Sequence, residues 1–322
     1  MTDYKTACIF GGTGFIGTQI VRELAAHGVR IKVATRVPES AYFLRPCGSV
    51  GQVVPFPCDY SDPQSIEQAV SGCDYVVNCI GILFEKKKNS FQRIHSDIPA
   101  AIAQACAKEG VERFVHVSAL GIEASTSRYA SSKFDGEKAV RAAFPQASIV
   151  RPSIVFGEDD DFFNKFARMA PIVPFLPLIG GGQTKFQPVY VGDVSDAVMA
   201  CLMNPSAGAD NPQGKTYELG GPDVVTFKDL YEIMFEYTHD PKPLVTLPWA
   251  IAKIQGAIFS LMPTPLLTPD QVESLKTDNV VTEDALSLET LGIESTAMSS
   301  ILPHYLSRYQ PGGRFANVKE AS

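Results

Sequence analysis

The chain has 322 residues, 45% of them hydrophobic, with 28 Lys and Arg against 35 Asp and Glu and a formal net charge of −7. That length allows one large or two unequal domains with a substantial core, and a mean hydropathy of +0.03 fits a folded soluble chain. The acidic balance argues against a broad electrostatic grip on nucleic acid or anionic lipid, leaving only local basic spots, and seven cysteines without a C-x-x-C pair indicate neither a disulfide framework nor a metal site.

Met1 to Thr6 runs straight into an apolar segment, which leaves no charged leader and signal core. The expected location is where the protein is made, the bacterial cytoplasm, or the matrix side if the chain is organellar. The longest apolar stretch, Leu247 to Met262, is interrupted by Lys253, Gln255 and Gly256 and is shorter than the ~20 residues that span a bilayer, so no transmembrane helix is expected.

The first strand, 6–10, leads into Gly11-Gly12-Thr13-Gly14-Phe15-Ile16-Gly17 and then a helix over 15–27 with Ile16, Ile20, Val21 and Leu24 on one face. Strand, glycine turn and helix in that order suit a dinucleotide. Glycine permits positive φ and close backbone approach, and the helix start offers free N–H groups and a positive dipole end to a pyrophosphate. Further strands are expected at 29–35, 52–57, 74–80, 112–118 and 148–155, with helices at 63–71, 96–109 and 129–143. Continuous apolar strands alternating with helices predict an α/β fold, a Rossmann-type doubly wound parallel sheet, with ligands at the strand carboxyl ends.

Arg36 is the first charged residue after the second strand, where an acidic residue would hold a ribose hydroxyl and an arginine accommodates a 2′-phosphate. NADP(H), one per chain, is therefore expected over NAD(H). Asp59 is placed to accept from the adenine amino group with Tyr60 beside it, and Cys79-Ile80-Gly81 ends the fourth strand with small residues that let backbone approach the cofactor ribose. Tyr129 and Lys133 lie four apart, on one helical face after the fifth strand. A lysine charge nearby lowers a tyrosine pKa, so the pair would serve as acid and base, with Ser118 at the strand end orienting a carbonyl. A packed tyrosine and a solvated lysine, or a lysine that only bonds the nicotinamide ribose, would use the same residues.

Beyond Val155 the texture changes, with 16 of the 23 prolines after residue 150. The boundary is set at 1–155 for the nucleotide domain and 156–322 for a smaller, proline-rich α/β domain, the two interleaved, with short helices near 192–203, 226–238, 248–260, 269–276 and 295–308. Pro174 to Ile179 would expose apolar side chains unless covered, whereas the helix from Trp249 is apolar nearly all round and is expected to be buried. Lys86-Lys87-Lys88 reads as a solvated loop, and the tail from Gly312 as frayed.

Gly11 to Gly17, Ser118, Tyr129, Lys133 and Arg151-Pro152-Ser153-Ile154-Val155-Phe156-Gly157 resemble the extended and atypical short-chain dehydrogenase/reductases. The strings Asn78 to Leu83, His116 to Gly121, Glu158 to Asn164, Phe186 to Val194, Tyr217 to Pro222 and Leu267 to Glu273 are similar to the NADPH-binding accessory subunits of respiratory complex I. That resemblance implies a structural NADP(H), also touched by Pro152 and Ile154, in a non-catalytic subunit beside other complex I subunits on the peripheral arm near the membrane. Only eleven positions separate Ser118 from Tyr129, where catalytic members of the extended class carry a longer substrate loop, so Ser118, Tyr129 and Lys133 would be vestigial. An active NADP(H)-dependent oxidoreductase or epimerase and an NADPH/NADP redox sensor are the alternatives.

Overall fold

The computed structural model describes residues 4–86, 89–203 and 211–312, so Lys87, Lys88 and the tail beyond Gly312 lie outside the described residues. The apolar runs form β1 Thr6–Phe10, β2 Arg30–Thr35, β3 Val53–Pro57, β4 Tyr75–Asn78, β5 Arg113–Val117, β6 Ser148–Pro152 and, far along the chain, β7 Thr216–Leu219. All neighbours pair in parallel, in the order β7-β6-β5-β4-β1-β2-β3. The order reverses between β1 and β4, which opens a crevice beyond their carboxyl ends.

Helices cover both faces, which is why these strands carry no polar side. On one face α1 Phe15–Ala26 packs Ile20, Val21 and Leu24 against Ile9, Val33 and Val77. On the other, α2 Pro63–Val70, α3 Ile98–Glu109 and α4 Arg128–Ala143 bring Ile66, Ile102, Cys106 and Val140 onto Cys8, Val76 and Phe114. Each such fully buried aliphatic side chain contributes about 1.5–3 kcal/mol. Two prolines sit in β3 at no cost in hydrogen bonds, because β3 is an edge strand. The Cys58 N–H donates to Thr35 O at 2.9 Å, and strand alternation then turns the missing N–H positions of Pro55 and Pro57 away from β2.

The chain beyond Pro152 forms α5 Phe163–Met169, α6 Val191–Met203, α7 Phe227–Thr238, α8 Trp249–Phe259, α9 Pro269–Ser274 and α10 Met298–Leu306. It returns to the sheet twice. Helix α6 lays Val194, Ala197 and Val198 in the α1 core, and β7 extends the sheet beside β6. Arg151 of β6 ties this corner together, bonding Glu137 of α4 through two nitrogens at 2.9 and 2.7 Å and lying 3.7 Å from Glu218 of β7. The remaining segments build a second core around Phe156, Phe163, Phe227, Tyr231, Leu302 and Tyr305.

Two apolar segments of this half have opposite outcomes, the proline-rich run being covered except at the exposed Phe175 and the helix from Trp249 being uncovered. The proline-rich run contains a strand, Leu176–Ile179, parallel to Leu244–Leu247. Leu176 N donates to Pro243 O at 3.0 Å, so alternation points the Pro177 nitrogen away from the partner, and Leu176, Leu178 and Ile179 are buried. Helix α8, expected inside, lies on the surface. It docks through Trp249 at its start and through two small residues: Ala252 and Gly256 are buried, and a Cβ on Gly256 would come within 2.9 Å of the Thr268 carbonyl carbon. Its large side chains Ile251, Ile254 and Ile258 face out.

Candidate functional site

The glycine loop closes the gap between β1 and α1 by contacts that only hydrogen side chains allow. Gly11 has φ +77°, and a Cβ there would lie 2.9 Å from the Cys79 carbonyl carbon, while one on Gly17 would lie 2.2 Å from Gly11 O. Gly12 presses on Val33, where a Cβ would lie 3.0 Å from Cγ1, and Gly14 N–H closes the turn on Gly11 O at 3.0 Å. Thr13 and Gly14 stay exposed, no side chain caps α1, and its first turn holds no acid. The helix start is therefore left with N–H donors and dipole for an anion. Ile16 packs on the core below, and the Phe15 ring lies against Gly157, where a Cβ would be 3.1 Å from Cζ.

At the end of β2 the exposed Arg36 guanidinium lies 5.7 Å from the Tyr60 ring centre, and Tyr60 is held by its hydroxyl donating to Ala34 O at 2.7 Å. Asp59 is exposed, and its carboxyl is held below the usual range first by the Ser61 N–H, with Arg93 and Arg36 adding to the effect. Arg93, which the sequence reading passed over, donates to the Ser61 hydroxyl and brings a second guanidinium to this corner. Arginine, tyrosine and aspartate here offer a stacking face, positive charge and an acceptor to an adenosine bearing a phosphate.

Between these ends, the Cys79–Ile80 peptide abuts Gly11, and Asn78 Oδ1 accepts from Ile80 N at 3.1 Å. Gly81 lies beneath the Lys133 ammonium, 3.5 Å from where a Cβ would stand. Lys133 is buried and donates to Val117 O at 3.3 Å, and burial pushes its pKa down to about 8 against the pull of Glu137 and Cys79. Pro152 is buried, its carbonyl accepting from Leu120 N at 3.0 Å, and Ile154 packs on the second core.

Tyr129 differs from its expected chemistry. The Lys133 ammonium turns to Val117, and burial pushes the Tyr129 phenol up to about 12. Its ring stands edge-on to Phe91 and to His95, at 5.8 and 5.2 Å between centres. His95 is a second residue the sequence reading missed. Its Nε2 accepts from Ile82 N at 3.1 Å, so Nδ1 carries the proton and donates to Ser132 Oγ at 2.9 Å, which in turn donates to Tyr129 O at 2.8 Å. Burial, then the charges of Lys133 and His116, lower His95 to about 2. One signal was available: Gly136 lies inside α4, and a Cβ there would stand 1.8 Å from His95 O.

Ser118 is 4% exposed and its Oγ has no hydrogen-bond partner among the described residues; neither has Nε2 of the fully buried His116. An unpaired buried hydroxyl costs free energy, so Ser118 fits a site completed by a bound polar group. The glycine cradle, the Arg36 corner and this hydroxyl together suit a phosphorylated dinucleotide lying from Gly14 to Lys133.

The far half of the chain closes over the start of α4. Asp270 accepts from Arg128 N at 2.7 Å and Tyr129 N at 3.0 Å, beside the helix's own cap, Ser127, which accepts from Ala130 N at 3.1 Å. Thr126 donates to Glu273 at 3.1 Å, Arg128 pairs with Glu85 at 2.8 Å, and Lys86 donates to Pro263 O at 3.0 Å. Asn279 donates to Leu120 O at 2.7 Å and accepts from Ser153 at 2.6 Å. The short segment from Ser118 to Tyr129 is thus bonded to the far half of the chain at Leu120, Thr126, Arg128 and Tyr129.

Residues 7–220 match the model of the NAD dependent epimerase/dehydratase family. The chain is similar to the mitochondrial NADH dehydrogenase [ubiquinone] 1 alpha subcomplex subunit 9 of Arabidopsis thaliana, at 38% identity over 95% of this chain and 78% of that one. It is also similar to the mitochondrial NADH-ubiquinone oxidoreductase 40 kDa subunit of Neurospora crassa, at 33% identity over 95% of this chain and 80% of that one. Among solved structures, an Escherichia coli NADPH-dependent quinone oxidoreductase in complex with NADPH superposes with a TM-score of 0.71 over 94% of this chain and 98% of that one, at 18% identity, a likeness of fold.

Proposed function

The chain belongs to the NAD dependent epimerase/dehydratase family, and we propose that it is an accessory subunit of respiratory complex I that holds NADP(H) as a structural cofactor. In this reading Gly11 to Gly17 and the start of α1 hold the pyrophosphate, Arg36 faces the 2′-phosphate over Tyr60, Asp59 meets the adenine, and Lys133 reaches the nicotinamide ribose. The nicotinamide, when bound, is a hydride carrier. The chain's own groups favour holding it over using it. Burial pushes the Tyr129 phenol up to about 12, which weakens it as a base, and the Lys133 ammonium, turned toward Val117 O rather than the phenol, offers a donor to the ribose.

The bonded cover over the start of α4 supports the structural role most directly. Asp270, Glu273 and Asn279 tie the segment between Ser118 and Tyr129 to the far half of the chain, through Arg128 N, Tyr129 N, Thr126 and Leu120 O, and leave it little freedom to open around a substrate. The subunit would sit on the peripheral arm at the membrane, facing the bacterial cytoplasm or the mitochondrial matrix; no helix among the described residues is long and apolar enough to cross a bilayer. A second reading, an active reductase or epimerase, draws on the unpaired Ser118 hydroxyl beside Tyr129 and Lys133.

Gentle isolation of the native protein tests both. The expected result is NADP(H) retained with the chain, together with other complex I subunits, and no loss of function on Tyr129→Phe. A free chain that turns over NADPH with a carbonyl or sugar substrate, and stops on Tyr129→Phe, would overturn the structural reading. Arg36→Ala should weaken NADPH far more than NADH; equal losses would remove Arg36 from the 2′-phosphate.

A further inference from the structure

The second half carries a helix that the fold leaves uncovered in an unusual way. Along α8 the Ile251, Ile254 and Ile258 side chains are 53%, 65% and 60% exposed. The chain continues as a turn, with Leu261 N donating to Ile258 O, and Leu261 is 87% exposed. At 100° per residue these four share one face, opposite the Ala252 and Gly256 side on which the helix docks. Met262 and Leu266 extend the apolar surface into the following loop. Three exposed isoleucines on one short helix, with a leucine in the turn after it, exceed the scattered apolar residues of an ordinary surface.

Charge distinguishes what could cover it. From Leu244 to Pro269 the chain has no Asp or Glu and one cation, Lys253, although 35 of its 322 residues are acidic. Two further lysines are drawn to the same loop: Lys86 donates to Pro263 O at 3.0 Å and Lys165 to Leu266 O at 2.8 Å. Glu273, the nearest carboxylate to Lys253, is shared with Lys276. An otherwise acidic molecule therefore presents one face that is aliphatic at its centre and cationic at its border.

We propose that this face, α8 with the loop from Ser260 to Leu266, lies on an anionic lipid bilayer. The helix spans ~16 Å, too short to cross a hydrocarbon core of ~30 Å but suited to lying in the headgroup boundary with its apolar face sunk ~5–10 Å. The bordering lysines then meet lipid phosphates at the depth of the headgroups. A protein partner is less well matched, because interface centres favour aromatic and arginine side chains and this face offers aliphatic ones. The proposal deepens the complex I reading, which puts the chain near a membrane, but it is tested on the free chain and lipid alone, so either can fail without the other.

The full chain is mixed with phosphatidylcholine vesicles, with or without about 30% phosphatidylglycerol, and centrifuged. Cosedimentation is expected with the anionic vesicles, weakening as salt rises. The double variant Ile254→Glu, Ile258→Glu should lose about tenfold or more in vesicle affinity while its thermal unfolding is unchanged, since both side chains already face water. Lys86→Gln with Lys165→Gln should reduce the preference for anionic vesicles. Absence of binding to either vesicle, equal binding by the isoleucine variant, or a dimer in solution that this variant dissolves without any vesicle binding would overturn the proposal.

Discussion

Two neutral histidines in the interior should make this fold acid-labile in a calculable way. His95 and His116 are 1% and 0% exposed, and burial, assisted by the Lys133 charge, lowers them to about 2 and about 3. In the unfolded chain a histidine takes a proton near pH 6.5, while in the folded chain both refuse it, so the unfolded state binds more protons and stability falls as pH falls below about 6.5. At pH 5 the shortfall is roughly 1.5 pH units, or about 2 kcal/mol for each histidine and about 4 kcal/mol for the pair. That is a large share of the ~5–15 kcal/mol of an ordinary fold. Urea unfolding at about pH 7.5 and about pH 5 measures the drop, and His95→Gln or His116→Gln should each shrink it by about 2 kcal/mol, whatever the substitution costs at neutral pH. A drop unchanged in both variants would refute the assignment of these histidines as buried neutral groups.

Gly17→Ala places a methyl 2.2 Å from Gly11 O, against backbone that cannot yield, and should destabilise by about 3 kcal/mol or more in thermal unfolding. Asp270→Ala removes acceptors from Arg128 N and Tyr129 N and should cost about 1–2 kcal/mol, with hydrogen exchange accelerating in the first turn of α4. Ser118→Ala should leave the nucleotide-free chain as stable or slightly more so, because its hydroxyl has no partner, yet weaken NADPH binding measured by titration calorimetry.

Periodicity made the sheet legible because its strands are continuous apolar runs joined by helices of regular pattern. Thr216–Leu219 escaped notice for the opposite reason. Its four residues pair with a strand more than sixty positions earlier, so its identity is decided by a long-range partner. The glycine loop was readable because its residues do one thing, make room, that no other side chain can do. Arg93 and His95 were not: they sit on a π-turn, Arg93–Asp97, whose widened geometry leaves no period to read, and their roles depend on Ser61, Ile82 and Ser132 from other elements. Helix α8 shows that apolar content is not burial: Trp249, Ala252 and Gly256 set its docking face while its isoleucines face out.

The position of β7 has a consequence for how the chain acquires its shape during synthesis. Strand β6 is complete once residue 152 has been made, but the edge it offers stays bare until residue 219 emerges, with α5 and α6 still to be laid down between. At ~5–20 residues per second that interval lasts several seconds, long enough for a bare parallel edge to find another nascent chain. Stopping translation just after residue 155 should give a fragment that aggregates through the β6 edge, and a full-length chain with Tyr217→Pro, which breaks the β7 pairing, should aggregate in the same way, so the last strand of the sheet acts as the clasp that closes that edge.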